Sequence, residues 1–324
     1  METILKDHRY LIFGGTGSLG RKIVDRLLEF NPPKIKVFSR DEQKQCEMRR
    51  HLSDKPNIEY YIGDIRDQER VKEALAGIDI AINVAALKHV SICEEYPVEA
   101  VQTNILGSIN IRREALNRKI KKVISISTDK AVKPINVLGL TKALQERINL
   151  LKLEPNSFTK FISVRCGNVF GSRGSVLDVF YECIINNKPL PITDLEMTRF
   201  ILTLDQAVDT VFSAIKFGNH GEVWIRRCPS AKVIDVGKEL AKGIKKVDDY
   251  PINNIGIRSG EKIHEILISS EELNRVEIKE DNFVLSTNPI ADSKLELSEE
   301  YSSLEAPRLS FTEITALLKS EGWL

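Results

Sequence analysis

The run Gly14-Gly15-Thr16-Gly17-Ser18-Leu19-Gly20 constrains this chain more than any other feature. It comes after a short apolar stretch, Tyr10 to Gly14, and opens a segment from Leu19 to Phe30 whose residues Ile23, Val24, Leu27 and Leu28 keep helical spacing. A strand that passes through glycines straight into a helix aims backbone N–H groups and the positive end of a helix at one point, where an anion is favoured. The run satisfies both G-x-x-G-x-x-G (Gly14, Gly17, Gly20) and G-x-G-x-x-G (Gly15, Gly17, Gly20). In such turns the early glycines let the backbone approach a pyrophosphate, and Gly20 lets the helix pack closely on the strand. Alone the pattern is weak, so its weight rests on the rest of the chain.

That remainder keeps a regular beat. Further strands are expected at Ile35–Ser39, Ile58–Ile62, Asp79–Val84, Val123–Ser127 and Phe158–Arg165. Between them fall helices: one capped by Asp41 and running to Leu52, then Arg66–Leu75, a long one over Pro97–Lys119, and Asn136–Leu153. Strands apolar on both faces that alternate with amphipathic helices predict an α/β fold, a doubly wound parallel sheet. After Arg165 the beat breaks at Gly171, Gly174, Pro189 and Pro191. Residues 1–166 are therefore expected to form the nucleotide-binding domain. Residues 167–324 are expected to be mainly a smaller C-terminal substrate-binding lobe, with some elements returning to the first domain. After Glu271 the sequence suggests no role.

Composition narrows the function. Lys plus Arg is 47 and Asp plus Glu is 46 in 324 residues, without the basic excess of a nucleic-acid binder. The longest apolar stretches are strand-sized, such as Ile78–Leu87 interrupted by Asp79 and Asn83, well short of the roughly 18 residues of a membrane span. With a charged start and no visible signal peptide, the expectation is a soluble cytoplasmic protein with no membrane partner. The five cysteines (Cys46, Cys93, Cys166, Cys183, Cys228) are scattered, and the histidines hold no ligand spacing with them, so no metal site or disulfide framework is expected.

The end of the second strand distinguishes the two nicotinamide dinucleotides. An acidic side chain there suits the ribose of NAD, a cationic one the 2′-phosphate of NADP. Ser39 and Arg40, with Lys44 one turn on, favour NADP; Asp41 keeps NAD open. Asp64, closing the third strand, is placed to hold the adenine amino group, unless it caps the next helix.

The segments Ser39-Arg40-Asp41-Glu42, Gly63-Asp64-Ile65-Arg66-Asp67, Ala85-Ala86-Leu87-Lys88-His89 and Ser127-Thr128-Asp129-Lys130-Ala131 continue the pattern. So do Gly167-Asn168-Val169, Gly171-Ser172-Arg173-Gly174-Ser175-Val176, Met197-Thr198-Arg199-Phe200, Gly256-Ile257-Arg258 and Gly260-Glu261-Lys262. With these segments the chain resembles the extended short-chain dehydrogenase/reductases. Within them it is similar to the nucleotide-sugar 4,6-dehydratases of capsule and flagellar-sugar biosynthesis, which act on UDP-N-acetylglucosamine. The resemblance implies a Rossmann-type fold, and assembly into a homo-oligomer through the long helices after the fourth and fifth strands. It also implies cofactor contacts from Gly14, Thr16, Gly17, Ser18, Leu19, Gly20, Ser39, Arg40, Lys44, Asp64, Ile65, Ala85, Lys88, Asn104 and Lys142. One position departs from the superfamily. Its usual Y-x-x-x-K helix motif has the lysine here, Lys142, but Leu138 in place of tyrosine, as the capsular branch has methionine. Neither side chain accepts a proton.

The implied reaction oxidises sugar C4, eliminates water across C5 and C6, and returns hydride to C6. Asp129 would protonate the departing C6 hydroxyl, and Lys130 would abstract the C5 proton. As a base Lys130 must shed its own proton near neutral pH, which calls for burial or a cationic neighbour such as Lys88. Lysine at this place marks the C5-inverting kind, with an L-arabino-configured 4-keto product. Thr128 would bond the C4 oxygen, with Ser127 a weaker candidate. Lys88 and His89 would reach the sugar. Asn168, Val169, Ser172 and Arg173 would hold the diphosphate, Arg199 and Arg258 phosphate or ribose, and Glu261 a uridine ribose hydroxyl. The alternatives within enzymes are a UDP-hexose 4-epimerase and a dehydratase that stops at a 5,6-ene. Outside enzymes it is a catalytically silent NADP-binding scaffold.

Overall fold

Six strands spaced as the beat predicts form one parallel sheet: β1 (Arg9–Phe13), β2 (Lys34–Ser39), β3 (Ile58–Ile62), β4 (Ile80–Asn83), β5 (Lys122–Thr128) and β6 (Lys160–Cys166). They lie in the order β3-β2-β1-β4-β5-β6. The computed structural model describes residues 3–155, 157–171, 174–290 and 299–324. Successive side chains of a strand face opposite sides, and β1 illustrates the result. Tyr10 and Ile12 enter one apolar core with the helix Ser18–Leu28 and the helix Leu204–Phe217, whereas Leu11 and Phe13 enter another under the helices Gln68–Ala74 and Gly107–Asn117. Two cores on two faces are what a doubly wound sheet requires.

Beyond β6 the sheet continues. Val223–Arg226 runs parallel to β6, Asn282–Leu285 lies antiparallel beside it, and Val276–Lys279 closes the edge. The stretch after Glu271 therefore completes the sheet. A third core joins the helices Val176–Ile185, Val233–Lys245 and Phe311–Ser320, and small sheets link this part to the strand ends. No helix of the described residues is long and apolar enough to cross a membrane.

Local chemistry sets the element ends. Asp41 caps its helix, accepting from the Lys44 N–H, and Asp67 caps the next, accepting from Arg70. Asp64 is therefore not that cap. The long helix expected over Pro97–Lys119 is interrupted: after Pro97–Ala100 the chain turns π-helical over Val101–Leu106 and becomes α-helical again at Gly107. The bulge carries Asn104, whose buried amide bonds the N–H and carbonyl of Leu87 at 2.9 and 3.1 Å. Single π turns inside α-helices of this kind recur at functional sites.

Candidate active site

The cleft forms where β1 and β4 lie side by side and the sheet order reverses, the place where such folds bind ligands. It has a volume of about 950 Å³. Gly14 has φ +76°, and a Cβ there would lie 2.8 Å from the Ala85 nitrogen. A Cβ on Gly20 would run into the Gly14 carbonyl. Gly14 and Gly15 both donate to the Phe38 carbonyl, at 2.8 and 3.2 Å, which fixes the turn between β1 and β2. The N-cap of Ser18–Leu28 is Gly17, which has no side chain of its own to cap the helix. This backbone cradle fits a dinucleotide pyrophosphate. Thr16, Gly17, Ser18 and Leu19 line it, while Gly20 acts behind the wall through close packing.

At the β2 end, Ser39, Arg40 and Lys44 also face the cleft. Asp41, the acidic candidate for a ribose, lines the cleft as well, where it caps its helix and pairs with Lys44 Nζ at 2.7 Å. Asp64 accepts from Arg66 at 2.8 Å and from Arg40 at 3.3 Å. Its burial favours the neutral acid, but the bonds from Arg66 and the charge of Arg40 outweigh this and hold its pKa below the ordinary value. Ile65 and Ala85 line the same wall. Asn104, expected to contact cofactor, is instead fully buried behind it and holds Leu87, which does line the cleft.

The candidate acid–base groups gather at the end of β5. Asp129 opens a single 3-10 turn, Asp129–Ala131, and is fully buried. Its Oδ1 accepts from the Thr128 hydroxyl at 2.8 Å and from Lys130 Nζ at 3.0 Å, while Oδ2 is buried without a hydrogen-bond partner. Lys130 Nζ also lies 3.0 Å from Oε1 of Glu265, whose side chain is 2% exposed. The expected depression of the Lys130 pKa is not found. Burial alone would strip the proton, but Asp129 and Glu265 outweigh it and raise the pKa above the ordinary lysine value. The cation acting on Lys130 is Arg199, rather than Lys88. Lys88 faces the cleft, its own pKa lowered by burial against the opposing pull of Asp178.

Leu138, in the tyrosine position, is 4% exposed and packs with Cys93 and Ala100 at the cleft wall. One turn on, Lys142 Nζ donates to the Ile126 carbonyl at 2.7 Å and to Gln145 at 2.6 Å. Burial lowers its pKa to about 8. Ser127 offers a buried hydroxyl without a partner on the same cleft wall, whereas the Thr128 hydroxyl is engaged with Asp129.

The remaining candidates divide. Asn168, Val169, Arg258 and Glu261 line the cleft, the last two as a loose ion pair at 3.8 Å. His89 reaches Gly174, where an added Cβ would lie 2.6 Å from its ring. Arg199 donates to the carbonyls of Thr198, Lys262 and Ile263 and so clamps the chain just before Glu265. Ser172 and Arg173 lie outside the described residues. Glu265 was missed by sequence reasoning, although Gly260-Glu261-Lys262 stops three residues short of it. Among the described residues no three His, Cys, Asp or Glu side chains converge as a metal site.

The family model described as polysaccharide biosynthesis protein matches residues 10–287. A protein of Rickettsia bellii named UDP-glucose 4-epimerase is 41% identical, the match covering 96% of this chain and 95% of that one. The X-ray structure of Pen from Bacillus thuringiensis is 36% identical with a TM-score of 0.93, over 99% of both chains. DesIV, a dTDP-glucose 4,6-dehydratase from Streptomyces venezuelae solved with NAD and TYD bound, is similar in fold: 18% identical, TM-score 0.70, covering 79% of this chain and 86% of that one.

Proposed function

We propose that this chain, which belongs to the polysaccharide biosynthesis protein family and to the wider class of nucleotide-sugar epimerases and dehydratases, is a C5-inverting UDP-N-acetylglucosamine 4,6-dehydratase. The observation that carries the reading is the buried acid–base group at the end of β5: Asp129 and Lys130, 3.0 Å apart, on the wall of a cleft that also holds the dinucleotide cradle. Elimination across C5 and C6 needs an acid and a base held together on a rigid element, whereas interconverting epimers at C4 moves a proton only at the C4 hydroxyl.

The glycine turn, Ser39, Arg40, Lys44 and Asp64 would hold the cofactor. Two cations, Arg40 and Lys44, stand at this end of the cleft and favour NADP, while Asp41 beside them, paired with Lys44, keeps NAD open. A nicotinamide dinucleotide held by these residues would supply the hydride acceptor for C4 and the hydride donor for C6. Lys142 receives the C4 hydroxyl proton by way of the strand-end hydroxyls of Ser127 and Thr128, a route that does without a side-chain proton acceptor at Leu138. Lys130 passes a proton to Asp129, 3.0 Å away, and the amine so formed takes the C5 proton while Asp129 gives that proton to the departing C6 hydroxyl, which leaves as water and returns the pair to ammonium and carboxylate. Asn168, Val169, Arg258 and Glu261 grip the nucleotide end.

A second reading, a UDP-hexose 4-epimerase, is supported by the name of the 41%-identical relative. The two separate cleanly in heavy water. Incubated with UDP-N-acetylglucosamine and NADP+, a dehydratase yields a product lighter by one water with one deuterium at C5, and Lys130→Ala abolishes both changes. A C4 epimer of unchanged mass without C5 deuterium would sink the dehydratase reading.

A further inference from the structure

We propose that Gln145, three residues beyond Lys142 on the helix Val137–Leu150, is a positioning residue: it turns the Lys142 amine so that a lone pair, rather than an N–H, meets the C4 hydroxyl proton. The inference rests on the part of the proposed function that makes Lys142 the acceptor of that proton.

A neutral lysine amine carries two N–H groups and one lone pair. At Lys142 Nζ two acceptors stand in place, the Ile126 carbonyl at 2.7 Å and Gln145 Oε1 at 2.6 Å. Both are carbonyl oxygens that only accept, so they take the two N–H groups and leave the lone pair in the remaining direction. Lys142 lines the cleft, so that position is the one a proton from the sugar side can reach. Gln145 itself is held. Its side chain is 1% exposed, and its amide nitrogen donates to Ser108 Oγ at 2.8 Å. Ser108 Oγ donates in turn to the Asn104 carbonyl at 2.8 Å. Each link passes its hydrogen away from Lys142, and an amide turned end for end would set N–H against N–H. The Asn104 side chain bonds Leu87 and the Thr141 hydroxyl, so the series ends on a fixed support. An amide buried this deeply is costly unless both its ends are bonded, and here both are. An apolar side chain would fill the same place and leave one Lys142 N–H without this acceptor.

Burial leaves the Lys142 amine neutral above about pH 8. The ionisable groups that act on it are Glu146 on its own helix, Cys93 from the helix Val90–Glu95 and Cys166 from the end of β6. Glu146 is paired with Arg165, and burial raises both thiols, Cys166 to about 12. In the reaction the C4 hydroxyl proton comes to the lone pair by way of the strand-end hydroxyls. The O–H electron pair becomes the second C4–O bond, and the C4–H pair departs as hydride to the dinucleotide. Nζ becomes ammonium with its bonds to Ile126 and Gln145 unchanged, and gives the proton to solvent before the next turnover. Without Gln145 the second N–H has no fixed partner. The amine then turns about its Cε–Nζ bond and presents N–H as readily as lone pair to the incoming proton.

The test compares Gln145→Glu, which keeps an acceptor in place and adds a charge beside Nζ, with Gln145→Leu, which removes the acceptor. One readout is the Lys142 titration, followed by NMR of isotope-labelled lysine side chains in the protein without substrate. The other is the pH profile of hydride removal in a single turnover, with NADP+ and UDP-N-acetylglucosamine carrying deuterium at C4. Gln145→Glu is expected to raise the midpoint of both by about one pH unit or more and to keep the high-pH rate within about threefold of wild type. Gln145→Leu is expected to lower the high-pH rate by about tenfold or more, with KM within about threefold. A wild-type high-pH rate in Gln145→Leu overturns the proposal, as does an equal loss in both variants, which would mark a packing role. If Gln145→Leu does not fold, Gln145→Met takes its place: a lowered rate supports the proposal and a wild-type rate overturns it. The label keeps this outcome apart from the dehydratase reading. Deuterium carried to C6 fits that reading, whereas deuterium returned to C4 in an epimer overturns it and leaves the same profiles to decide on Gln145. A wild type that removes no hydride from C4 overturns both.

Discussion

Leucine at 138 removes the one side chain on its helix turn that could trade a proton with a sugar hydroxyl, and the consequence falls on Lys142, four residues on. Its pKa of about 8 sits well below the ordinary lysine value of 10.5, because the folded chain buries the amine. The neutral, proton-accepting form gains population as pH rises through about 8, so C5 deuterium uptake should climb close to tenfold per pH unit below that value and level off above it. Lys142→Met should abolish it at every pH. Stability moves the same way: the unfolded chain holds this proton up to about pH 10.4, so the Lys142 contribution makes the fold more stable as pH rises between the two values. Leu138→Met, close to volume-conserving, should cost under about 1.5 kcal/mol in urea unfolding and leave the product unchanged. Either a flat pH profile or a dead Leu138→Met enzyme would contradict this account.

Between β5 and the helix Val137–Leu150, the chain makes a single 3-10 turn that holds Asp129 and Lys130, and the helix start is pressed against it. A Cβ on Gly139 would collide with the Lys130 carbonyl. Asn136 caps the helix by accepting from the Gly139 N–H at 2.7 Å, and its amide donates to the Gly260 carbonyl at 2.7 Å, tying the turn to the segment that leads to Glu265. Gly139→Ala should therefore push the turn outward. We expect a loss of about 1–3 kcal/mol in urea unfolding and a larger fractional loss of C5 exchange than of cofactor affinity. Equal losses in both would mean that the turn is not what the substitution moves. This element also marks the limit of what the sequence reveals. The glycine cradle, the Asp41 cap and the pair Asp129-Lys130 were legible because each is made by neighbours a few residues apart. Glu265 was not, because it reaches Lys130 through clamps from Arg199 and Ser303, and no local pattern records contacts over such distances. The π turn at Asn104 was hidden for the same reason: its side chain is tied to the distant Leu87 backbone.

On the scale of the molecule, Arg165 on β6 joins three parts. It forks onto Glu146 at 3.1 and 2.8 Å, reaches Glu272 at 2.9 Å through two nitrogens, and donates to the Leu267 carbonyl at 2.6 Å, almost fully buried. Removing it strands the buried Glu146 carboxylate and the half-buried Glu272. Arg165→Ala should cost about 3–5 kcal/mol by urea unfolding, and a loss below about 1 kcal/mol would show that the network contributes little. Along the helical run after β4, Val98, Val101 and Leu106 are exposed, as are Leu140, Leu144 and Leu151 along the helix after β5, and the two runs pack side by side. Apolar side chains at helical spacing on adjacent helices mark a surface meant to be covered. The six-strand beat was legible because each strand carries its own apolar run, whereas the three strands added beyond β6 are too short and too scattered to be placed from pattern alone. Their lateness bears on how the chain is made. A ribosome that has released β6 has produced a sheet whose last strand, destined to be buried on both faces, has an open edge. Its covering strand arrives with Val223–Arg226, and that strand's own neighbour only at Asn282–Leu285, about 120 residues after β6, on the order of ten seconds of synthesis. During that interval the nascent chain presents a pairing edge to any other strand nearby, so its successful birth depends on crowding and chaperones as well as on the finished contacts.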